Sequence, residues 1–269
     1  MAYSSGAGPR EPAKVLFDAS QSAKGLPDRH AYGSACESLT FPFVTQARRE
    51  LSVTLAVQPV YDLEQFAPVG RRLRRIVRHR GGEAALVAMG NRTLEAADLK
   101  RIDLQTMGHG LELLHPTVDE TVVLPAFWRT VATTQGRFAL AYAGLPFDGR
   151  RGALLIEVMG GPETAAPEAL AETIAHFETQ KLGVVLHMAP DIDLARRLAE
   201  ARAGCLAIDF AGVDHDSSRS WAAAEALITM AREAAPRLLL LNLRPEWARA
   251  AVAVGATHAV FAQMTVRTV

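Results

Sequence analysis

The chain has 269 residues, 49% of them hydrophobic and 6% aromatic, enough for one large core or for one domain with an extension. Lysine plus arginine equals aspartate plus glutamate, 29 against 29, so no overall field draws nucleic acid, which argues against a dedicated nucleic-acid binder. Two cysteines in unlike surroundings, Cys36 in a polar leader and Cys205 heading an apolar run, argue against a disulfide framework or zinc site. No apolar stretch approaches the roughly 18 residues of a membrane span. The opening "MAYSSGAGPREPAK" lacks a signal-peptide core, so the expected compartment is the cytoplasm.

Residues 1–45 read as a flexible arm, rich in Gly, Pro, Ser and charge, with a short helix expected in "FPFVTQARREL". "LSVTLAVQPVYDL" is a strand with β-branched residues. "TLEAADLKRIDLQTMGHGLELLH" places Leu99, Ile102, Met107, Leu111 and Leu114 on one helical stripe, with Thr93 as its N-cap. "TVVLP" is a short buried strand, and an arginine- and glycine-containing connection leads to "ALLIEV". The second half alternates plainly. The helix "APEALAETIAHFETQKLG" has Pro167 in its first turn and Gly183 as its stop. There follow the strand "VVLHM", the helix "LARRLAEARAG", the strand "CLAIDF", the helix "SWAAAEALITMAREAAP", the strand "RLLLLNL", the helix "RPEWARAAVAVG" and the strand "THAVF". Continuous apolar strands alternating with helices imply a parallel sheet covered by helices. No glycine-rich phosphate fingerprint follows the first strand, so a closed α/β TIM-like barrel over residues 46–269 fits better than a doubly wound open sheet.

These strands, taken in order, resemble the EAL domain, the bacterial barrel that hydrolyses cyclic di-GMP. "VQPVYDL" looks like its opening "QPIVDL", and "LKRIDLQTMGHGLELL" is similar to its helix with an Ile-Asp pair. "LLIEV" looks like "LEITE", "KLGVVLHM" like "LGVxLALDDFG", and "CLAIDF" like "LKIDR". The final two units match from "MAREAAPRLLLLNL" onward. Each motif is weak alone; six in order are not.

The resemblance implies metal-assisted attack of water on a phosphodiester, with two divalent cations held by oxygen ligands at the strand ends. Placed one by one, those ligands are mostly missing. The acid of the naming motif falls on Arg71 or Arg72 in "FAPVGRRLRRI", where a guanidinium at ~4 Å would repel a cation by about 4 kcal/mol per pair of unit charges in a partly buried site. The string "EAAL" at Glu83–Leu86 has an extra alanine and lies beyond the strand. The asparagine falls on Val123, the paired aspartates on Ala189 and Pro190, the lysine on Ala207, and the late glutamate within Leu239–Leu241. A shift of a residue or two would bring in Asp191 or Asp193. Only Gln58 and Glu157 keep the family's residue type. The chain therefore looks like a degenerate EAL domain with no catalytic residues, metal or cofactor, and no phosphodiesterase activity is expected.

Three polar features remain. Glu157, inside the apolar "GALLIEVMGG", is either a vestigial ligand of metal or nucleotide, together with Gln58, or an acid paired with an arginine such as Arg72 across the barrel mouth. The scarcity of oxygens favours the pair. His187 and the loop Asp214-His215-Asp216 would open on one barrel face as a repurposed zinc or substrate site, against the plainer reading of a core histidine and a solvated loop. "GRRLRRIVRHR" offers Arg71, Arg72, Arg74 and Arg75 as a patch for phosphate, membrane surface or an acidic partner, against the plainer reading of a solvated edge. The expected function is a non-catalytic signalling or scaffold module acting through protein partners. The resemblance implies a homodimer. The alternatives are a non-hydrolysing cyclic di-GMP receptor, disfavoured by the lost ligands, and an enzyme with a new site at the barrel mouth.

Overall fold

The computed structural model describes residues 37–82, 85–87, 94–114, 120–144, 154–213 and 218–262. Ten strands occur among them: β1 (Ser38–Val44), β2 (Glu50–Asp62), β3 (Ala67–His79), β4 (Ala85–Val87), β5 (Thr121–Phe127), β6 (Leu154–Met159), β7 (Gly183–Met188), β8 (Cys205–Asp209), β9 (Leu238–Leu243) and β10 (His258–Phe261). The helices are α1 (Ala96–Leu114), α2 (Trp128–Val131), α3 (Thr134–Ala143), α4 (Pro167–Thr179), α5 (Ile192–Leu198), α6 (Ser218–Ala234) and α7 (Ala248–Ala253).

Eight strands close a barrel in the order β2-β10-β9-β8-β7-β6-β5-β3, with β3 pairing back onto β2. From β3 through β10 the neighbours run parallel, as alternating strand and helix require. β2 alone lies antiparallel to both its neighbours. The inner layer is apolar: Val60, Val123, Leu155, Val185, Cys205, Ala207, Leu239, Leu241 and Val260 pack together. Strand residues on the opposite face pack under the helices in a larger core that includes Leu99, Ile102, Met107, Leu170, Ile174 and Phe177. The closed TIM-like barrel expected from the alternation is the observed fold.

β2 and β3 are 13 residues each and outrun the barrel wall. β5 pairs β3 only at Gly70–Arg72, and β10 meets β2 only at Tyr61 and Asp62. Past those points the two strands continue as a ribbon flanked by β1 and β4, with α1 against one face. A buried ion pair fixes α1 to it. Arg75 Nη1 donates to Asp103 Oδ1 at 2.6 Å, the guanidinium lies 3.8 Å from the Phe127 ring centroid, and the Phe127 N–H donates to the same carboxylate.

Three local expectations need correction. "FPFVTQARREL" is no helix: Phe41 and Phe43 are buried while Thr40, Pro42 and Val44 are exposed, a period of two that makes β1 and pairs it with β2. The hairpin turn, with Arg48 at φ 60, spans the expected border between arm and barrel. Gly183 does not stop α4; Lys181, at φ 58, makes the left-handed turn and Gly183 starts β7. The connection before β6 contains α2 and α3, the latter capped by the Thr133 hydroxyl accepting from the Gly136 N–H. Residues 1–36, Thr93, and the loop Asp214-His215-Asp216 lie outside the described residues. Among the described residues no helix is long and apolar enough to cross a membrane.

Candidate functional site

Strand alternation turns Gln58, Gly70 and Arg72 toward the barrel interior, beside Val60. On the far wall the same alternation turns Leu155 and Glu157 inward, then Val185 and His187 on β7. These polar side chains converge above the apolar layer. Arg72 Nε donates to Glu157 Oε2 at 2.6 Å and Arg72 Nη2 to Glu157 Oε1 at 2.7 Å, a bidentate fork. Its Nη1 donates to Gln58 Oε1 at 2.7 Å. His187 Nδ1 lies 2.6 Å from Glu157 Oε1. The Glu157 side chain is 0% exposed, Arg72 6% and His187 1%.

Burial alone would raise the Glu157 pKa, but the Arg72 charge and the His187 hydrogen bond outweigh it and hold the carboxyl down to about 2. An ionised carboxylate only accepts, so His187 carries its proton on Nδ1. Beyond His187 the set continues to the rim. Asp209 Oδ2 lies 3.8 Å from His187 Nε2, while Asp209 Oδ1 accepts from the Ala211 N–H at 2.8 Å and from Asn242 Nδ2 at 2.6 Å. Asn242 adopts φ 56, a left-handed conformation asparagine tolerates, at the end of β9. The belt Gln58–Arg72–Glu157–His187–Asp209–Asn242 thus joins β2, β3, β6, β7, β8 and β9.

Apart from Gln58 and Glu157, the positions that the resemblance marks carry no oxygen in a side chain. Val123, Ala207, Leu239 and Leu241 are fully buried in the inner apolar layer. The β5 residue level with Glu157 is Pro125, with Val123 one step deeper beside Leu155. Ala189 is half-buried and Pro190 exposed. Asp191 spends its carboxylate on α5, accepting from the Asp193 and Leu194 N–H groups, and Asp193 pairs with Arg196 at the surface. Neither aspartate joins the belt.

The four arginines do not form a patch. Arg71 pairs with Glu120 at 2.5 Å on the barrel's outer side, Arg72 is in the belt, Arg75 is buried against Asp103, and Arg74 is exposed. A solvated edge with scattered ion pairs describes Arg71, Arg74 and Arg80 but not Arg72 and Arg75, because the alternation of β3 sends those two guanidinia into the interior on opposite faces. The arginine pairing of Glu157 is as expected. His187 is a core residue, as the plainer reading expects, and its partner is the Glu157 carboxylate. Asp209 and Asn242 were missed as site residues. The motif "CLAIDF" already marked Asp209, but nothing local linked it to Asn242.

No family model matches the sequence, and no curated protein does. Solved structures do. The EAL domain protein from Listeria monocytogenes EGD-e superposes with a TM-score of 0.56 at 10% identity, over 77% of this chain and 85% of that one. The Xanthomonas citri FimX EAL domain, in complex with c-diGMP, gives 0.58 at 13% identity over 78% and 85%. The Bacillus subtilis YkuI protein, with an EAL domain and in complex with substrate c-di-GMP and calcium, gives 0.59 at 14% identity over 76% of this chain and 53% of that one, so this chain spans about half its length. At such identities the likeness lies in the backbone: the chain has the mixed β/α-barrel fold of EAL domains.

Proposed function

We propose that the chain is a non-catalytic EAL-type barrel, a cytoplasmic signalling module related to cyclic di-GMP that works through protein contacts and pairs into a homodimer. The bidentate Arg72–Glu157 ion pair carries this reading. A two-metal phosphodiester site needs several free carboxylate or amide oxygens around each ion. Here the two residues that match the family's ligands are engaged: both Glu157 oxygens accept from Arg72 and one also from His187, and Gln58 Oε1 accepts from Arg72. The arginine supplies in place the positive charge that a cation would bring, so the residues present do not fit the two ions, and no hydrolytic step is derived through them. A well-packed core with spent ligands is what a domain retains when its surface, and not its pocket, is useful.

The fold neighbours from Xanthomonas citri and Bacillus subtilis, solved with c-di-GMP, favour a second reading in which the barrel binds the dinucleotide without cutting it. Two measurements separate these. Incubation with cyclic di-GMP in magnesium or manganese should give no turnover above the protein-free rate; turnover ends both readings. Titration calorimetry should give no heat at micromolar dinucleotide; saturable heat without turnover replaces the first reading by the second. Sedimentation should give a dimer, and a monomer at all concentrations removes that part.

A further inference from the structure

Among the described residues two large aromatic side chains are exposed, Phe138 at 57% and Tyr142 at 76%, and both stand on α3. Their i, i+4 spacing puts them on one face of the helix, away from the buried Gly136 and Leu140. The His176 ring of α4 meets Phe138 edge-on at 4.9 Å and the buried Phe177 at 5.8 Å, so the aromatic surface continues from α3 onto α4 and is anchored in the core. At about 200 Å2 for a whole aromatic side chain, Phe138 and Tyr142 alone leave roughly 270 Å2 in water, near the ~300 Å2 at which the largest patches of monomers begin. We infer that this α3–α4 face is the contact surface of the barrel and receives a basic amphipathic segment of a partner protein. Apolar side chains of that segment lie on Phe138 and Tyr142, and its lysines or arginines face the carboxylates around them.

Charge selects the occupant. The whole chain balances 29 cations against 29 anions, but this face does not. The exposed charges of α3 and α4 are all carboxylates, Glu168, Glu172 and Glu178. The one arginine of the two helices, Arg137, is buried and offsets Glu172 alone, at 2.8 Å. The exposed rings add to the preference, since an ammonium or guanidinium is drawn to an aromatic face. A second copy of the chain does not fit, because a two-fold contact would set the same carboxylates against each other, and an anionic membrane surface is repelled by them. The inference rests on the reading of the chain as a protein-contact module and leaves that module's homodimer to another face.

The photo-crosslinking residue p-benzoylphenylalanine, itself a large aromatic, takes the place of Tyr142 in the full chain inside its native cell. Thr229 on α6 and Arg249 on α7, both exposed, are the control positions. An adduct is expected from position 142, mapping to a partner segment in which lysine and arginine outnumber aspartate and glutamate. Phe138→Ser should cut its yield at least about tenfold. Glu168→Lys combined with Glu178→Lys should cut it about fivefold, the equivalent of losing two exposed ion pairs. Both carboxylates are exposed, so the charge variant keeps the test alive should Phe138→Ser fail to fold. An adduct to an acidic segment or to a second copy of the chain, or one indifferent to the charge reversal, overturns the surface. Adducts from the control positions alone overturn it and leave the protein-contact reading standing; no adduct from any position ends both.

Discussion

Replacing Arg72 by methionine keeps an unbranched stem, ends short of the guanidinium nitrogens and removes the charge, leaving Glu157 at 0% exposure with His187 as its remaining hydrogen-bond partner. The substitution deletes two charge-assisted hydrogen bonds of 2.6 and 2.7 Å to the carboxylate and one of 2.7 Å to Gln58. Breaking a buried ion pair from one side typically costs about 3–5 kcal/mol, because the remaining charge keeps its desolvation penalty. For a domain of this size that is a fall in Tm of roughly 10 °C. The loss should depend on pH with a definite sign. In the parent, Glu157 lies below its ordinary 4.5, at about 2, so its contribution is present above 4.5 and lost as pH falls toward 2. In Arg72→Met burial is no longer offset by the guanidinium and the carboxyl is pushed up, so the variant loses stability as pH increases from about 4.5 through the new, higher value. Urea unfolding at pH 7 and pH 5 reads both effects. Adding Glu157→Met should return most of the loss, since an apolar pair of similar volume needs no desolvated charge. An Arg72→Met unfolding free energy within about 1 kcal/mol of the parent, or a double variant no better than the single, refutes the Arg72–Glu157 ion pair as the source of that stability.

Arg75→Met should cost a similar ~3–5 kcal/mol by stranding Asp103, and hydrogen exchange should show α1 opening before the barrel strands; uniform exchange across both would contradict the pairing as the staple of α1. Burial, against the pull of Asp62, holds His258 down to about 4 from 6.5. As pH falls the unfolded chain takes up this proton first, so stability present above 6.5 is lost down to about 4, by roughly 3 kcal/mol at 1.36 kcal/mol per unit. The loss should be read in urea midpoints and absent from His258→Gln; an equal slope in the variant assigns it elsewhere. Burial pushes the Cys205 thiol up to about 12 at 0% exposure. In a Cys36→Ser chain it should ignore Ellman's reagent until the protein is unfolded; prompt native labelling would mean the barrel interior opens.

The sequence alone determined the barrel. From "TVVLP" onward each strand is apolar on both faces and each helix has its own stripe, so a helix-covered parallel sheet was the available solution, and the order of short motifs narrowed it to a type. It also named Arg72 as a partner for Glu157, because a charge inside such a strand must meet its opposite. What it left open were facts of register and reach. β1 was misread since two buried phenylalanines around a proline are too short a pattern to separate period two from a helical turn, and the β2 strand that settles the matter lies beyond the window. The arginine run looked like one feature because its residues are adjacent in the chain. Only tertiary structure, which wraps β3 with the barrel interior on one face and α1 on the other, sent Arg72 to Glu157 and Arg75 to Asp103. The link from His187 through Asp209 to Asn242 depends on the side-by-side placement of β7, β8 and β9 and on one left-handed residue at a strand end. Local pattern encodes which face a residue occupies; the distance across a closed barrel is decided by the closure itself.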